Sequence, residues 1–287
     1  MDDRKDNTIF SPALGTAAIT QIIVNAWKDS PMISDMEVAD EYYEGHNIEI
    51  EKKSRVFYDK DRNPIDNPNA SNIKHNSQFL RNLVQQKQDY GFAKTFILNV
   101  STDTEAEVDL KTDGYGRVWK KFCDGLLYKL SYKLAGQAVN HGKAWCYVWI
   151  DDDGEFCMKD VPGQLVYPVW SDRNHDKLDR LVYDYTVDYY QSNSPTTTEY
   201  AEYWDKDTRE VFNVTNGYEK VPMFVDSEGN SIDGHMFAGE EPVSWGRIPF
   251  VCLKGTDDER TLLSFIKRYV DTYDMLDSRS ADGLLDD

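Results

Sequence analysis

The spacing of apolar residues changes twice along this chain, and these changes constrain its fold more than any motif does. Up to Gly142, apolar side chains recur every three or four positions, which is the period of a helix that buries one face. From residue 143 to residue 255 the period falls to two, as in strands, and from residue 256 it returns to that of a helix. The sequence therefore predicts an α+β fold in three parts: helical over 1–142, β-rich over 143–255 and helical again over 256–287.

The first part is predicted to contain four helices, and short polar stretches separate them. The helices are expected at 17–27, 32–45, 76–90 and 115–141, with a short strand at 95–100. Pro31 is expected to begin the second helix, and Gly45 is expected to end it as a C-terminal cap in the left-handed conformation. Residues 59–72 are rich in Asp, Asn and Pro, which predicts an exposed loop.

The β-rich part is predicted to contain two hairpins and one long alternating strand. The first hairpin joins 144–150 to 156–158 around a turn at 151–154, and the second joins 200–204 to 210–214. Residues 181–189 alternate apolar with polar side chains, which predicts a sheet with one face in water. Residues 224–244 are predicted to be rich in loops, and 247–253 to form a strand.

The last helix is predicted to begin at Asp257, and it carries a heptad-like stripe. The stripe steps by four, three, four and three residues through Leu262, Ile266, Tyr269, Tyr273 and Leu276. Such spacing is typical of a helix that packs along one line against a partner. The partner is either a neighbouring subunit or the sheet of the same chain, and the spacing does not distinguish the two.

The charge of the chain excludes several classes of protein. Acids outnumber bases by 51 to 32, which gives a net charge of −19. A protein that grips nucleic acid by neutralising phosphates needs clustered Lys and Arg, so that class is excluded. No stretch of about 18 apolar residues occurs, so no membrane span is expected. The four cysteines lie far apart, which predicts reduced thiols in a cytosolic compartment.

The sequence lacks the motifs that most often signal catalysis or cofactor binding. The sequence holds no phosphate-binding Walker loop, no nucleophile elbow and no zinc-ligand spacing, so neither an enzyme nor a cofactor or metal site is predicted. One alternative is a carbohydrate-active or carbohydrate-binding cleft, because Asp184, Asp188, Glu199 and Glu202 stand among aromatic residues. Their alternation predicts instead the solvated face of a sheet.

Short segments spread over about 250 residues carry a resemblance to a known family. The segments are Trp27–Ser30, Ala39–His46, Asn72–Asn76, Phe79–Lys87, Tyr90–Lys94, Ala138–Trp145, Tyr167–Asp172, Gly246–Val251, Tyr269–Asp274 and Ser278. In this order they resemble the portal (head-to-tail connector) proteins of tailed bacteriophages, in the branch of long-tailed phages that infect Gram-positive hosts. Each segment alone is weak, and their shared order makes the resemblance specific.

The resemblance implies a structural protein that is not an enzyme. Portal subunits form a ring of about twelve copies at one capsid vertex, closed by head-to-tail contacts. The ring is a conduit for DNA packaging and ejection and a nucleus for head assembly. Residues 1–142 and 143–255 would then be the helical and β-rich parts of the wing, and 256–287 the start of a stem-like helix. The clip, the second stem helix and the crown of the family are expected to be absent.

The resemblance also implies partners and candidate residues. The partners are further copies of the chain, the major capsid protein, the scaffolding protein, the terminase, head-completion or adaptor proteins, and double-stranded DNA in transit, bound without sequence specificity. The location implied is the virion, after assembly in the host cytoplasm, with no membrane. The stripe from Leu262 to Leu276 is assigned to stem packing or subunit contact. Asp271, Asp274 and Asp277 are candidates for channel or interface charge. A second alternative is another acidic structural component of a phage head or tail.

Overall fold

The computed structural model describes residues 14–65, 70–94, 127–151, 153–191, 194–225, 228–229, 231–238 and 241–286. It confirms the mixed α+β class, with α-helices and antiparallel sheets in these residues. The chain divides into two compact units. The first unit draws on 1–34 and 145–252, and the second on 35–144 and 253–287.

The described helices follow the predicted ones closely. They are α1 (Thr16–Lys28), α2 (Pro31–Glu44), α3 (Ile48–Glu51), α4 (Phe79–Gly91), α5 (Tyr128–His141) and α6 (Leu262–Asp286), with a 3-10 turn at Gly163–Leu165. Gly45 follows α2 with a φ of 91°, as its role as a helix end requires. The predicted strand at 95–100 and residues 115–126 of the predicted fourth helix lie outside the described residues.

Two predicted helix starts were wrong. The third helix begins at Phe79 rather than Asn76, because residues 71–77 bind another helix through their backbone and Gln78 has a left-handed φ of 49°. The last helix begins at Leu262 rather than Asp257, because Glu259 has a φ of 54°, which an α-helix does not allow. Thr261 then caps the helix, since its Oγ1 accepts a hydrogen bond from the Ser264 N–H at 3.1 Å.

Fourteen short and long strands make five antiparallel sheets within the described residues. The strands are β1 (Phe57–Tyr58), β2 (Pro64–Ile65), β3 (Lys143–Ile150), β4 (Phe156–Val161), β5 (Val166–Trp170), β6 (Leu178–Gln191), β7 (Ser194–Trp204), β8 (Arg209–Asn213), β9 (Glu219–Val221), β10 (Phe224–Val225), β11 (Ser231–Ile232), β12 (Met236–Ala238), β13 (Glu241–Val243) and β14 (Phe250–Lys254). Both predicted hairpins are confirmed, as β3–β4 and β7–β8. Two two-stranded ribbons, β10–β11 and β12–β13, lie in the stretch that was predicted to be rich in loops.

The first unit is built on the five-stranded sheet β5-β6-β7-β8-β9. Helix α1 covers one face of this sheet, and its buried residues Ile19, Ile23 and Val24 pack against Val182 and Phe212. A second apolar cluster lies on the other face. Its members are Trp145, Val161, Val166, Trp170, Leu181, Trp204, Ile248 and Phe250. Three of the four cysteines, Cys146, Cys157 and Cys252, lie in described residues, and none of the three is in a disulfide.

The prediction that one face of β6 is in water was wrong for its first half. Asp184 is 4% exposed, and α1 covers the face on which it lies. Its carboxylate is 3.2 Å from the Lys28 ammonium of α1. A buried charge requires such a partner, and a lysine 156 positions away in sequence supplies it. Thr186 and Asp188 are exposed as predicted, whereas Tyr189, which the alternation placed on the apolar face, is 44% exposed.

The second unit has a core between α2, α4 and α6. The buried core residues are Ala39, Tyr42, Leu80, Val84, Leu263 and Val270, and Val139 of α5 packs against them. Helix α5 lies beside α4, where the Gln88 side-chain amide donates a 2.6 Å hydrogen bond to the carbonyl of Tyr132. This core fixes one side of α6, the helix that contains every predicted site residue.

A tight backbone junction leads into α6 within the same unit. Gly142 ends α5 with a φ of 83°, and its carbonyl accepts a 2.7 Å hydrogen bond from the Gly255 N–H. A Cβ at position 142 would lie 2.3 Å from the carbonyl oxygen of Glu259. The Lys143 ammonium and the Glu259 carboxylate form a 3.1 Å ion pair, and both side chains are almost completely buried. Lys254 lies 3.9 Å from the same carboxylate.

Candidate functional site on helix α6

The predicted stripe of α6 changes in exposure along the length of the helix. Leu262 and Ile266, in its first turns, are half-buried and pack against the core of their own unit. Tyr269, Tyr273 and Leu276, further along the same stripe, are 74%, 58% and 62% exposed. One part of the stripe therefore holds the helix in place, and the other part is presented to solvent.

The exposed part of the stripe lines a shallow groove. Arg268, Tyr269, Thr272, Tyr273 and Leu276 surround a volume of about 470 Å³. The ring of Phe79, at the start of α4, stacks on Tyr273 with centroids 6.5 Å apart. We call Tyr269, Tyr273 and Leu276 the outward face of α6. A row of large exposed apolar side chains of this kind is typical of a contact surface.

The buried side of α6 changes character along its length. Its first buried residues are Leu263 and Val270, which are apolar, and its later ones are Asp274, Ser278 and Asp282. Asp286 continues this second set by a further four residues. We call Asp274, Ser278, Asp282 and Asp286 the polar stripe. Residues four apart are neighbours on the surface of a helix, so the polar stripe forms a continuous row inclined to the helix axis.

The polar stripe binds the backbone of an extended segment, residues 71–77, which we call the strap. The N–H groups of Ser71, Ile73, His75 and Ser77 donate in turn to Asp286, Asp282, Ser278 and Asp274, at 3.0, 2.7, 3.0 and 3.2 Å. Alternate residues of the strap therefore meet every fourth residue of the helix, and the two run antiparallel. Side chains of the helix thus accept from backbone N–H groups that a neighbouring strand would pair with in a sheet.

Two cations and an amide complete the polar stripe. Lys53 is 2.5 Å from Asp282, Arg55 binds Asp286, and the Asn47 side chain donates to Asp274 at 2.8 Å. Burial raises the pKa of Asp282, but hydrogen bonds from Lys53 and the strap, with the nearby positive charges, outweigh it and lower that pKa below its usual range. The Ser71 N–H and the Arg55 guanidinium lower the pKa of Asp286.

The three predicted acids occupy different environments. Asp274 is 2% exposed and belongs to the polar stripe. Asp271 is partly buried, where it accepts a 2.6 Å hydrogen bond from the Tyr42 hydroxyl and pairs with Lys267 at 2.8 Å. Asp277 is half exposed and lies 2.8 Å from the His75 ring. Burial, followed by the hydrogen bond to Asp271, raises the pKa of Tyr42.

The polar stripe was missed by the sequence analysis, although the sequence carries a signal for it. Asp274, Ser278, Asp282 and Asp286 recur at intervals of four on the side of the helix that also holds Leu263 and Val270. A polar line that continues a buried apolar line predicts a buried polar contact. The partner of that contact, more than 190 residues earlier in the chain, has no comparable signal.

Two of the acids that suggested a carbohydrate cleft lie on opposite faces of the five-stranded sheet. Asp184 accepts a hydrogen bond from Tyr167 of the first apolar cluster, and Glu202 accepts one from Trp204 of the second. Glu202 is 5% exposed and binds Arg209 at 2.6 Å and the Trp204 N–H at 3.1 Å. A glycosidase needs two carboxyl groups that face the same bond. Asp184 and Glu202 face away from each other, and Asp184 and Glu199 are both paired with the Lys28 ammonium.

Other aspartates accept hydrogen bonds from their own turns. Asp59, Asp151, Asp172 and Asp205 each bind two or more backbone N–H groups within the next five residues. The N–H groups of Asn63 and Glu155 lower the pKa of Asp59 and Asp151 respectively. These four aspartates thus have a local structural role.

A search of the described ranges finds no group of three or more His, Cys, Asp or Glu side chains placed to hold a metal ion. Among the described helices, none combines the length and the apolar composition that crossing a membrane requires.

Comparison with known proteins gives a consistent result. The family model described as "Phage portal protein, SPP1 Gp6-like" matches residues 28–284. The portal protein of Bacillus phage SPP1 is 26% identical over 252 residues, which cover 85% of this chain and 46% of that protein. The portal protein of Clostridium phage phiCD119 is 26% identical over 259 residues, which cover 86% of this chain and 52% of that protein. The chain thus spans about half the length of the curated relatives it matches.

The family match includes residues of both compact units, so it concerns the whole fold rather than one part of it. The match defines the class of this chain, the portal proteins of bacteriophages. The chain belongs to the SPP1 Gp6-like family of phage portal proteins. The resemblance found in the sequence is therefore confirmed.

Proposed function

We propose that this chain forms the wing and the start of the stem of a portal subunit, in a ring at one capsid vertex. The ring, of about twelve copies, serves as the conduit for DNA packaging and ejection and as a nucleus for head assembly. The observation that carries the proposal is the family match over residues 28–284. The alternative of another phage head or tail component has no comparable support.

We assign the contact between neighbouring copies to the outward face of α6. Tyr269, Tyr273 and Leu276 are exposed, while Leu262 and Ile266 secure the helix in its own unit. A ring contact is heterologous, so the outward face of one copy meets a different surface of the next. Aromatic side chains suit such a contact because they bury a large area with few rotatable bonds.

The charge of the chain fits a channel through which DNA passes. Fixed negative charge provides no Lys or Arg side chain that could displace the counterions of the DNA phosphates. The duplex therefore slides instead of binding. Asp277 is half exposed and is the strongest of the three acids as a candidate for channel or interface charge. Asp271 and Asp274 add to the field from within the unit, where they hold Tyr42 and Asn47.

The wider partners follow from the same proposal. The major capsid protein and the scaffolding protein contact the wing, and the ring is assembled in the host cytoplasm before it becomes part of the virion. Contacts with the terminase and with head-completion or adaptor proteins belong to the part of the relatives that this chain does not cover.

The test is direct imaging of the purified protein for annular particles, with sedimentation over a range of concentrations. We expect rings, and we expect Tyr269→Glu with Leu276→Glu to abolish them. Tyr90→Glu is the matched control, because Tyr90 is 88% exposed on α4 and lies outside the outward face. A protein that stays monomeric at every concentration contradicts the proposal. Loss of rings in the Tyr90 variant alone contradicts the assignment to α6.

A further inference from the structure

We propose that the strap and the polar stripe form a clasp that opens as one unit and frees the C-terminal half of α6, residues 274–286, while the N-terminal half stays docked. The proposal concerns a conformational device inside one subunit, and it does not depend on ring formation.

Different forces hold the two halves of α6. Leu263 and Val270 are 2% and 4% exposed and belong to the apolar core of the unit. In the second half, the buried positions are Asp274, Ser278 and Asp282. Undocking the second half therefore exposes polar groups that water can satisfy, whereas undocking the first half exposes apolar surface. Segments with few buried apolar contacts are the ones that open locally.

The spacing of the contacts makes the clasp cooperative. Four helical residues rise about 6.0 Å, and two extended residues span about 6.6 Å, so consecutive contacts stay matched along the strap. The four strap donors are backbone N–H groups at 71, 73, 75 and 77, and each has its partner on the polar stripe. Within the described residues, 71–78 belong to no sheet or helix. The strap and the helix half therefore depend on each other for order.

Charge fixes the far end of the clasp. Lys53 binds both Asp282, at 2.5 Å, and the strap carbonyl of Ile73, at 2.9 Å. Arg55 likewise binds Asp286 and the carbonyl of Ser71. Each cation thus joins one residue of the helix to one residue of the strap. Loss of one of these contacts loosens both elements together.

The test is hydrogen exchange on the full chain, read separately for the strap and for the two halves of α6. Ile73→Pro removes the N–H that donates to Asp282 and keeps an extended backbone. We expect exchange in 274–286 and in the strap to rise roughly tenfold or more, because a charge-assisted hydrogen bond is lost, with residues 262–270 unchanged. Lys74→Pro is the matched control, since the N–H of Lys74 is not one of the four donors, and Lys74→Ala corrects for its side chain.

A second pair of variants keeps the test decisive if proline disturbs folding. Asp282→Asn retains the shape of the side chain but not its charge, and Arg279→Gln changes an exposed charged side chain of α6 outside the polar stripe. We expect only Asp282→Asn to speed exchange in the strap and in 274–286. An equal rise through the whole of 262–286 overturns the proposal, because α6 then docks as one piece. Unchanged exchange in 274–286 overturns it as well, because the contacts between the strap and the polar stripe then do not stabilise this half of the helix.

Discussion

The buried ion pair between Lys143 and Glu259 gives the sharpest prediction about stability. Both side chains are about 1 to 2% exposed, and the two charged atoms are 3.1 Å apart. Removing one partner of such a pair leaves the other charge buried, which costs about 3–5 kcal/mol. We therefore expect Glu259→Gln to destabilise the second unit by about that amount. Lys143→Met should cost less, because Lys254 lies 3.9 Å from the remaining carboxylate.

The double variant Lys143→Met with Glu259→Met distinguishes the cost of leaving one charge unpaired from the cost of any substitution at these two positions. An apolar pair of similar size removes both charges, so its stability should lie within about 2 kcal/mol of the unchanged protein. The assay is urea unfolding followed by far-UV circular dichroism. With a slope of about 2 kcal/mol per molar urea, Glu259→Gln should lower the midpoint by about 1.5–2.5 M. Single variants that each cost under about 1 kcal/mol, with additive effects, would refute the reasoning, since water then reaches the pair.

Two further predictions concern a glycine and a titrating acid. Gly142→Ala should destabilise by at least about 2 kcal/mol more than Gly154→Ala in thermal unfolding, because both have positive φ but only the first methyl group meets a backbone oxygen; equal losses would show that the junction can move. Burial raises the pKa of Asp184 to about 6, with Lys28 opposing and Glu199 adding to it. The folded carboxyl thus keeps a proton that the unfolded one, with a pKa of about 3.9, has lost, so the stability of the first unit should fall as pH rises from about 4 to about 6. Asp184→Asn should remove that slope from tryptophan-monitored urea unfolding, and a slope that persists would contradict the assignment.

Local patterns predicted the elements of this fold, and non-local contacts account for the errors. The period of apolar residues gave α1 and α2 to within one residue at each end, and the turn glycine at position 154 marked the β3–β4 hairpin. The buried face at Asp184 was not predicted, because the cation that permits its burial lies on α1. Sequence spacing cannot show which distant cation reaches a given acid.

The site was predicted to the same extent and for the same reason. Spacing placed Tyr269, Tyr273 and Leu276 on one line of a helix, and they do share one exposed side. Spacing could not show that Leu262 and Ile266 turn toward the core of their own unit. Nor could it show that Asp274 is buried by a strap from residues 71–77. Their roles in subunit contact and in the channel stay predictions.

The aspartates that accept hydrogen bonds from their own turns link the net charge of the protein to the order of its loops. At Asp59, Asp151, Asp172 and Asp205, the carboxylate that contributes to the net charge also orders the loop that carries it. Replacement by lysine would reverse the charge and free the loop at once, whereas asparagine would remove the charge and leave an acceptor in place. A less acidic surface can therefore evolve through asparagine at these four positions with the loop contacts kept, whereas substitution by lysine would lose them.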